Sequence, residues 1–194
     1  FILGQGFTSH HTASLHVGSV AWSLKHFSTG DYTEKAFTRA EIAAESIFDT
    51  LGSHFNHEQW DIAYGASGTV GAVADVLVQY GRPMNTVTKE GLYWLRDELL
   101  RTKHVDKLRL LGLKEDRKPV IAGGLSILIA IFDFLKIDTL NVAQGALRHG
   151  LLYDMLARDN EMVDLRNASV KRLAAKFDVD KTHARTVAEI AEKL

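Results

Sequence analysis

Apolar residues recur at helical spacing between Thr33 and Leu51, at Ala36, Phe37, Ala40, Ala43, Ala44, Ile47, Phe48 and Leu51. That rhythm predicts an amphipathic helix. Asp31 and Glu34 have the spacing of a capping box at its start. Glu41, Glu45 and Asp49 fall on its wet face, and Gly52 ends it. Similar spacing predicts helices over Ser19 to Phe27, from Val70 to the stop at Gly81-Arg-Pro83, and over Thr88 to Arg101. A long helix is predicted for Asp116 to Leu135, and another for Gln144 to Leu156. Between them lie strand signals: Phe1 to Leu3, the loose alternation from His11 to Val17, the apolar Trp60 to Tyr64 read as a buried strand, and Asp138 to Val142. Phe27 to Asp31 reads as a loop. Strands alternating with helices predict an α/β layer architecture.

After Asp159 the pattern changes. Asn160 to Asp164 is polar and acidic and reads as a linker. Ser169 to Phe177 and Thr182 to Leu194 are two helix signals joined by Asp178-Val-Asp180. The reading is therefore a first domain over 1–159 and a small all-helical segment over 160–194.

Composition narrows the picture. A formal charge of -1 over 194 residues argues against an extended nucleic-acid surface and gives no reason to expect binding to acidic membranes. With no cysteine, disulfides and thiolate metal sites are excluded; the reducing cytoplasm is the expected setting. No secretory signal is visible. The apolar run Val120 to Leu135 contains Gly123, Gly124 and Asp133 and falls short of the roughly 20 residues of a membrane span, so a buried core helix is predicted. The chain opens on Phe1, inside a strand signal, and reads as a truncated chain, a proteolytic product or a partly ordered chain.

The segment richest in chemistry is Ala63-Tyr-Gly-Ala-Ser-Gly-Thr-Val70. A strand delivers a glycine-marked turn and a helix follows at once. Gly65 and Gly68 are expected to permit backbone angles closed to other residues. The turn's amides, the helix N-terminus and the hydroxyls of Ser67 and Thr69 together make a neutral phosphate cradle. The alternative is a purely structural turn. It lacks the lysine of a Walker loop and the spacing of a dinucleotide fingerprint. Arg117 and Lys118 precede the apolar helix; a guanidinium can grip phosphate with two donors, although a solvated helix start explains them as well. Gly123 and Gly124 cost that helix about 1 kcal/mol each relative to alanine, which points to close backbone packing or a break beside a ligand pocket. Leu140 to Asp154 repeats the pattern of strand, glycine turn and helix.

Taken in order, G-A-S-G-T, L-G-L-x-x-x-R-K, G-G-L-x-I-L and G-A-L-R-x-G-L-L-Y-D resemble the exopolyphosphatase/guanosine pentaphosphate phosphohydrolase (Ppx/GppA) family over nearly the whole chain. The resemblance implies an actin-like (ribonuclease H-like) mixed-sheet α/β domain, the second of two facing a cleft, followed by the opening helices of a helical domain. It implies phosphate binding by Gly65, Ala66, Ser67, Gly68, Thr69 and Arg117, and a cleft edge formed by Gly123, Gly124, Gly145, Arg148 and His149. His149 departs from the family, which has glutamate there. The implied substrates are inorganic polyphosphate or guanosine pentaphosphate, the implied ion is Mg2+, and homodimers are common in the family. The family's catalytic glutamate and its Asp-x-Gly-Gly-Gly-Ser turn have no match here. No catalytic or metal-ligating residue is therefore expected within this chain, and the chain alone is expected to be inactive. A non-catalytic actin-like sensor that binds polyphosphate or nucleotide is the alternative.

Other features are weaker. His10, His11, His54 and His57 do not form a zinc motif and are read as surface histidines. Trp22, Trp60 and Trp94 are read as core or interface residues. Lys171 to Leu194 could pass for a helix-turn-helix, but Asp178, Asp180, Glu189 and Glu192 interrupt its basic surface.

Overall fold

The apolar run after Val120 becomes helix α5 (Ile121–Leu135), about which the first part of the chain is organised. In the computed structural model, residues 1–6, 8–145, 147–159, 170 and 173–191 are described. Contacts divide the chain into two units, Phe1–Gln144 and Gly145–Leu194. With its 310 lead-in, α5 is long and apolar enough to cross a membrane by length alone, yet Leu125, Ala130 and Phe132 have no exposed surface. It is the central core helix of the first unit.

Helices α1 (Ser19–His26), α2 (Glu34–Phe48), α3 (Gly68–Gln79) and α4 (Lys89–Thr102) pack around it. On α2, Phe37, Ala40, Ala44 and Phe48 are fully buried at the predicted spacing. The Trp22 indole N–H donates to the Ala40 carbonyl at 3.1 Å, tying α1 to α2. The α2 start departs from the capping-box expectation. Thr33 is the cap, its hydroxyl accepting from the Ala36 amide at 3.2 Å, while Asp31 forms an isolated bridge with His104. Glu34, the first helical residue, instead reaches Arg96 at 2.7 Å. Glu41 is also not on a wet face. It is half-buried with Oε1 3.2 Å from Arg96 Nε, a charge contact without hydrogen-bond alignment. Burial pushes its carboxyl up from the ordinary value, against the pull of Arg96.

The described strands form two sheets. β1 (Ile2–Gln5) and β2 (Thr8–Thr12) make an antiparallel hairpin with an irregularity between Leu3 and Gly4. The strand predicted for His11 to Val17 is therefore displaced. Ala13, Leu15 and Val17 do alternate with exposed neighbours, but only Ala13 is paired, exchanging backbone bonds with Phe1 at 2.7 and 2.9 Å, and no described strand pairs with Leu15 or Val17. The second sheet has the order β3 (Ala63–Gly65), β5 (Thr139–Val142), β4 (Thr86–Thr88). β3 runs parallel to β5 and β4 antiparallel, so the sheet is mixed. β4 had no signal in the pattern, since three residues are too few to show alternation. β3 is shorter and wetter than predicted: Tyr64 is 67% exposed.

The predicted helix from Asp116 to Leu135 divides into a 310 segment, Glu115–Val120, and α5. Pro119 has no amide to donate, and the α-helical ladder begins only after it, at Ile121. In the second unit α6 spans Leu147–Asp159, starting later than predicted. A further helix covers Lys181–Ala191, opened by Asp180, whose carboxylate accepts from the Thr182 and His183 amides at 2.9 and 3.1 Å. Residues 173–176 are helical, in line with the predicted segment. The predicted linker, with Lys171 and Arg172, lies outside the described residues.

Candidate phosphate-binding site

β3 ends at Gly65 and α3 begins at Gly68, so Ala66 and Ser67 form the whole turn. Ser67 caps α3, its hydroxyl oxygen accepting from the Val70 amide at 3.2 Å. The hydroxyl proton stays available to an acceptor. Gly68 and Thr69 are the first two helical residues, and amides at these positions have no acceptor within the helix. Ala66, Ser67 and Gly68 are exposed and Thr69 half-buried, so the turn opens to solvent.

The two loop glycines are needed for space rather than backbone angle. Neither has a positive φ. A Cβ on Gly65 would lie 2.8 Å from both Leu140 Cδ2 and Val70 Cγ2. A Cβ on Gly68 would meet the Arg117 guanidinium, 3.1 Å from Nη1 and 3.4 Å from Cζ. Arg117, 49 residues further along the chain, thus lies directly over the first residue of α3. Its only described acidic neighbour is Asp116 at 3.6 Å. Lys118 turns elsewhere and pairs with Glu115 at 2.7 Å.

Gly123 and Gly124 are buried within α5, not on an open edge. They bring two helix starts together. A Cβ on Gly124 would be 2.5 Å from Thr69 Cγ2 and 3.2 Å from Ser19 Cβ. Gly123 faces Ser23 and the Ser19 carbonyl, and its amide donates to Ser23 Oγ at 3.2 Å. The N-termini of α1 and α3 therefore meet α5 at the same place. Neither has an acidic residue in its first turn, and the α1 cap, Gly18, offers no side-chain bond. Both positive dipole ends are left uncompensated beside Arg117, an arrangement that favours an oxyanion. The sequence reading missed Gly18 and Ser19. Only pairing the small residues Gly18-Ser19 with the distant Gly123-Gly124 would have pointed to them.

Gly145, Arg148 and His149 belong to the second unit, where Gly145 and Arg148 are exposed and His149 half-buried. Magnesium fits this donor set poorly. Among the described residues no three acidic, histidine or cysteine side chains converge, and the loop supplies hydroxyls and amides where magnesium takes at least one carboxylate. The His11 and His54 rings stack at 4.2 Å, a face-to-face contact and not a ligand arrangement.

Residues 1–159 match the profile of the "Ppx/GppA phosphatase family". Curated relatives called guanosine-5'-triphosphate,3'-diphosphate pyrophosphatase are similar along the chain. The Vibrio cholerae protein is 33% identical over 100% of this chain and 38% of its own length. The Vibrio atlanticus protein is 34% identical with the same coverage. The chain thus spans well under half of these relatives. Among solved structures, the Aquifex aeolicus Ppx/GppA family member superposes with a TM-score of 0.68 at 20% identity, covering 82% of this chain and 53% of that one. The type II variant of the Aquifex aeolicus phosphatase gives 0.65 at 20% identity, with 78% and 51% covered. The fold is accordingly the actin-like mixed α/β fold expected from the motifs.

Proposed function

This chain belongs to the Ppx/GppA phosphatase family, and from that premise we propose that it forms one wall of a phosphoanhydride hydrolase site that removes the terminal phosphate of guanosine pentaphosphate. The names of the curated relatives favour this substrate, with inorganic polyphosphate as the second choice. The observation that carries the reading is the Arg117 guanidinium lying over Gly68 at the start of α3.

In this reading the Gly68 and Thr69 amides and the Ser67 hydroxyl donate to the non-bridging oxygens of the terminal phosphate. Arg117 spans two of those oxygens. As water attacks the phosphorus and the bond to the bridging oxygen breaks, these fixed donors hold the charge that spreads over the phosphoryl group. The water's proton passes to a base outside this chain, and any magnesium takes its protein ligands from elsewhere. A cytoplasmic setting belongs to the same proposal.

The test compares phosphate release from guanosine pentaphosphate by this chain and by the longer natural protein, each with and without Arg117→Ala. Release by the longer protein alone, lowered at least 10-fold by the substitution, supports the proposal. Binding of the pentaphosphate by both, without release from either, would replace it with a sensor. Equal release with and without Arg117 would remove the site from the reaction.

A further inference from the structure

We infer that the cavity beside α1 takes the guanine base of the pentaphosphate, with the Asp106 carboxylate reading the base's N–H edge; this rests on the phosphate site proposed above.

The cavity holds about 490 Å³, within the roughly 300–1,000 Å³ of small-molecule sites. Val20, Leu24 and Phe27, on one face of α1, form one wall, and Pro119 and Val120 form another. Val20 and Leu24 are exposed, so a flat ring seated here removes apolar surface from water. The cavity lies a short step from the phosphate loop. Val20 directly follows Ser19, which meets Gly124 beside that loop, and Pro119 lies two residues after Arg117. With eight residues, α1 is about 12 Å long. A nucleotide whose terminal phosphate occupies the loop therefore has room to lay its base along this helix.

Charge selects the kind of ring. Between Arg101 and Lys114 the chain carries five cations, Arg101, Lys103, Lys107, Arg109 and Lys114, and a single acid, Asp106. That acid lines the cavity. A carboxylate repels a bound phosphate but suits a ligand edge made of donors. The turn that carries it is held in place beforehand. The Asp106 amide donates to His104 Nδ1 at 3.2 Å, Arg109 donates to the Asp106 carbonyl at 3.0 Å, and the Val105 amide donates to the Gly30 carbonyl at 2.9 Å. His104 Nε2 lies 3.2 Å from the Thr29 carbonyl. One neutral tautomer, with its proton on Nε2, satisfies both histidine bonds. His104 Nδ1, 3.4 Å from Asp106 Oδ2, is then an acceptor and gives the carboxylate no countercharge.

Tyr32 adds a donor. It lines the cavity at 4% exposure, and its hydroxyl has no partner among the described residues. Burial, then the charge of Asp106, pushes the phenol well above its ordinary range, so it stays protonated. Guanine presents two adjacent N–H donors, at ring N1 and the 2-amino group, for a carboxylate, and a carbonyl oxygen beside them for a phenol. Adenine places a bare ring nitrogen where guanine has its N1–H, and inorganic polyphosphate has no ring at all.

Calorimetric titration of this chain tests the inference with three ligands: guanosine pentaphosphate, its inosine analogue, which lacks the 2-amino group, and inorganic tripolyphosphate. The chain should bind the guanosine form more tightly than the inosine form. Asp106→Asn should weaken guanosine binding about 10-fold, erase that preference, and leave tripolyphosphate affinity unchanged or higher. Asp106 is exposed, so the thermal midpoint should hold within a degree or two. Arg117→Ala should weaken all three ligands. If Asp106→Asn lowers tripolyphosphate affinity in step with the guanosine form, Asp106 is structural and the inference falls. If it leaves guanosine affinity unchanged while Arg117→Ala lowers it, the inference falls and the phosphate site stands alone. Failure of all three ligands to bind overturns both sites together.

Discussion

Replacing Gly123 with alanine sets two opposing effects against each other. Inside a helix the change gains about 1 kcal/mol of propensity. A Cβ at that position would press on Ser23 Oγ and sit 2.5 Å from the Ser23 amide nitrogen and 2.8 Å from the Ser19 carbonyl oxygen. Two of these three neighbours are α1 backbone, so no rotamer change relieves the contact and α1 must shift. Overpacking of this kind costs about 1–3 kcal/mol, and rigid backbone neighbours place it at the upper end. The displaced Gly123–Ser23 hydrogen bond removes about 1 kcal/mol more. The net effect is a loss of about 2–3 kcal/mol, which for a chain of this size lowers the melting temperature by roughly 4–12 °C. Thermal unfolding followed by circular dichroism measures it. Adding Ser23→Ala removes the hydroxyl but leaves the backbone contacts, so it should recover only part of the loss. A Gly123→Ala protein melting at or above the wild-type temperature would refute the close α1–α5 packing.

Gly124→Ala meets mainly the movable Thr69 side chain; melting should change by less than for Gly123→Ala, while calorimetric affinity for inorganic phosphate or guanosine pentaphosphate falls as the loop is displaced. Ser67→Ala should destabilise α3 by about 1 kcal/mol through loss of its cap, seen in urea unfolding, and also weaken phosphate binding. Arg117→Lys should bind pentaphosphate more weakly than wild type but better than Arg117→Ala, since lysine keeps the charge and loses the planar fork; equal affinities would argue against a paired grip. His26 is buried with both ring nitrogens unpartnered, and desolvation, then Lys25 and Arg39, hold its pKa below 6.5. Its contribution to stability is complete above pH 6.5 and declines as acid reaches the imidazole, because the unfolded chain takes up the proton first. His26→Phe should flatten the unfolding curve just below that pH, and an unchanged slope would assign it to other groups.

Helix α2 was legible because a one-sided helix writes its buried face at fixed spacing, and Phe37, Ala40, Ala44 and Phe48 do so without ambiguity. The turn from Gly65 to Thr69 was legible as well, since strand, small residues and helix are consecutive. The motif order sufficed to mark the family, and the comparisons agree. Short strands such as β4 were not legible: their identity lies in hydrogen bonds to a partner far along the chain. Nor was the role of the glycines. Whether a glycine serves a backbone angle or a close approach depends on what lies above it, and at Gly68 that is Arg117. The amino-acid order by itself determined the α/β alternation, the core helices and the candidate phosphate loop, because these follow from local spacing. Only the tertiary structure decided that Arg117, Ser19 and Gly124 converge on that loop, because their contacts depend on how separate helices pack.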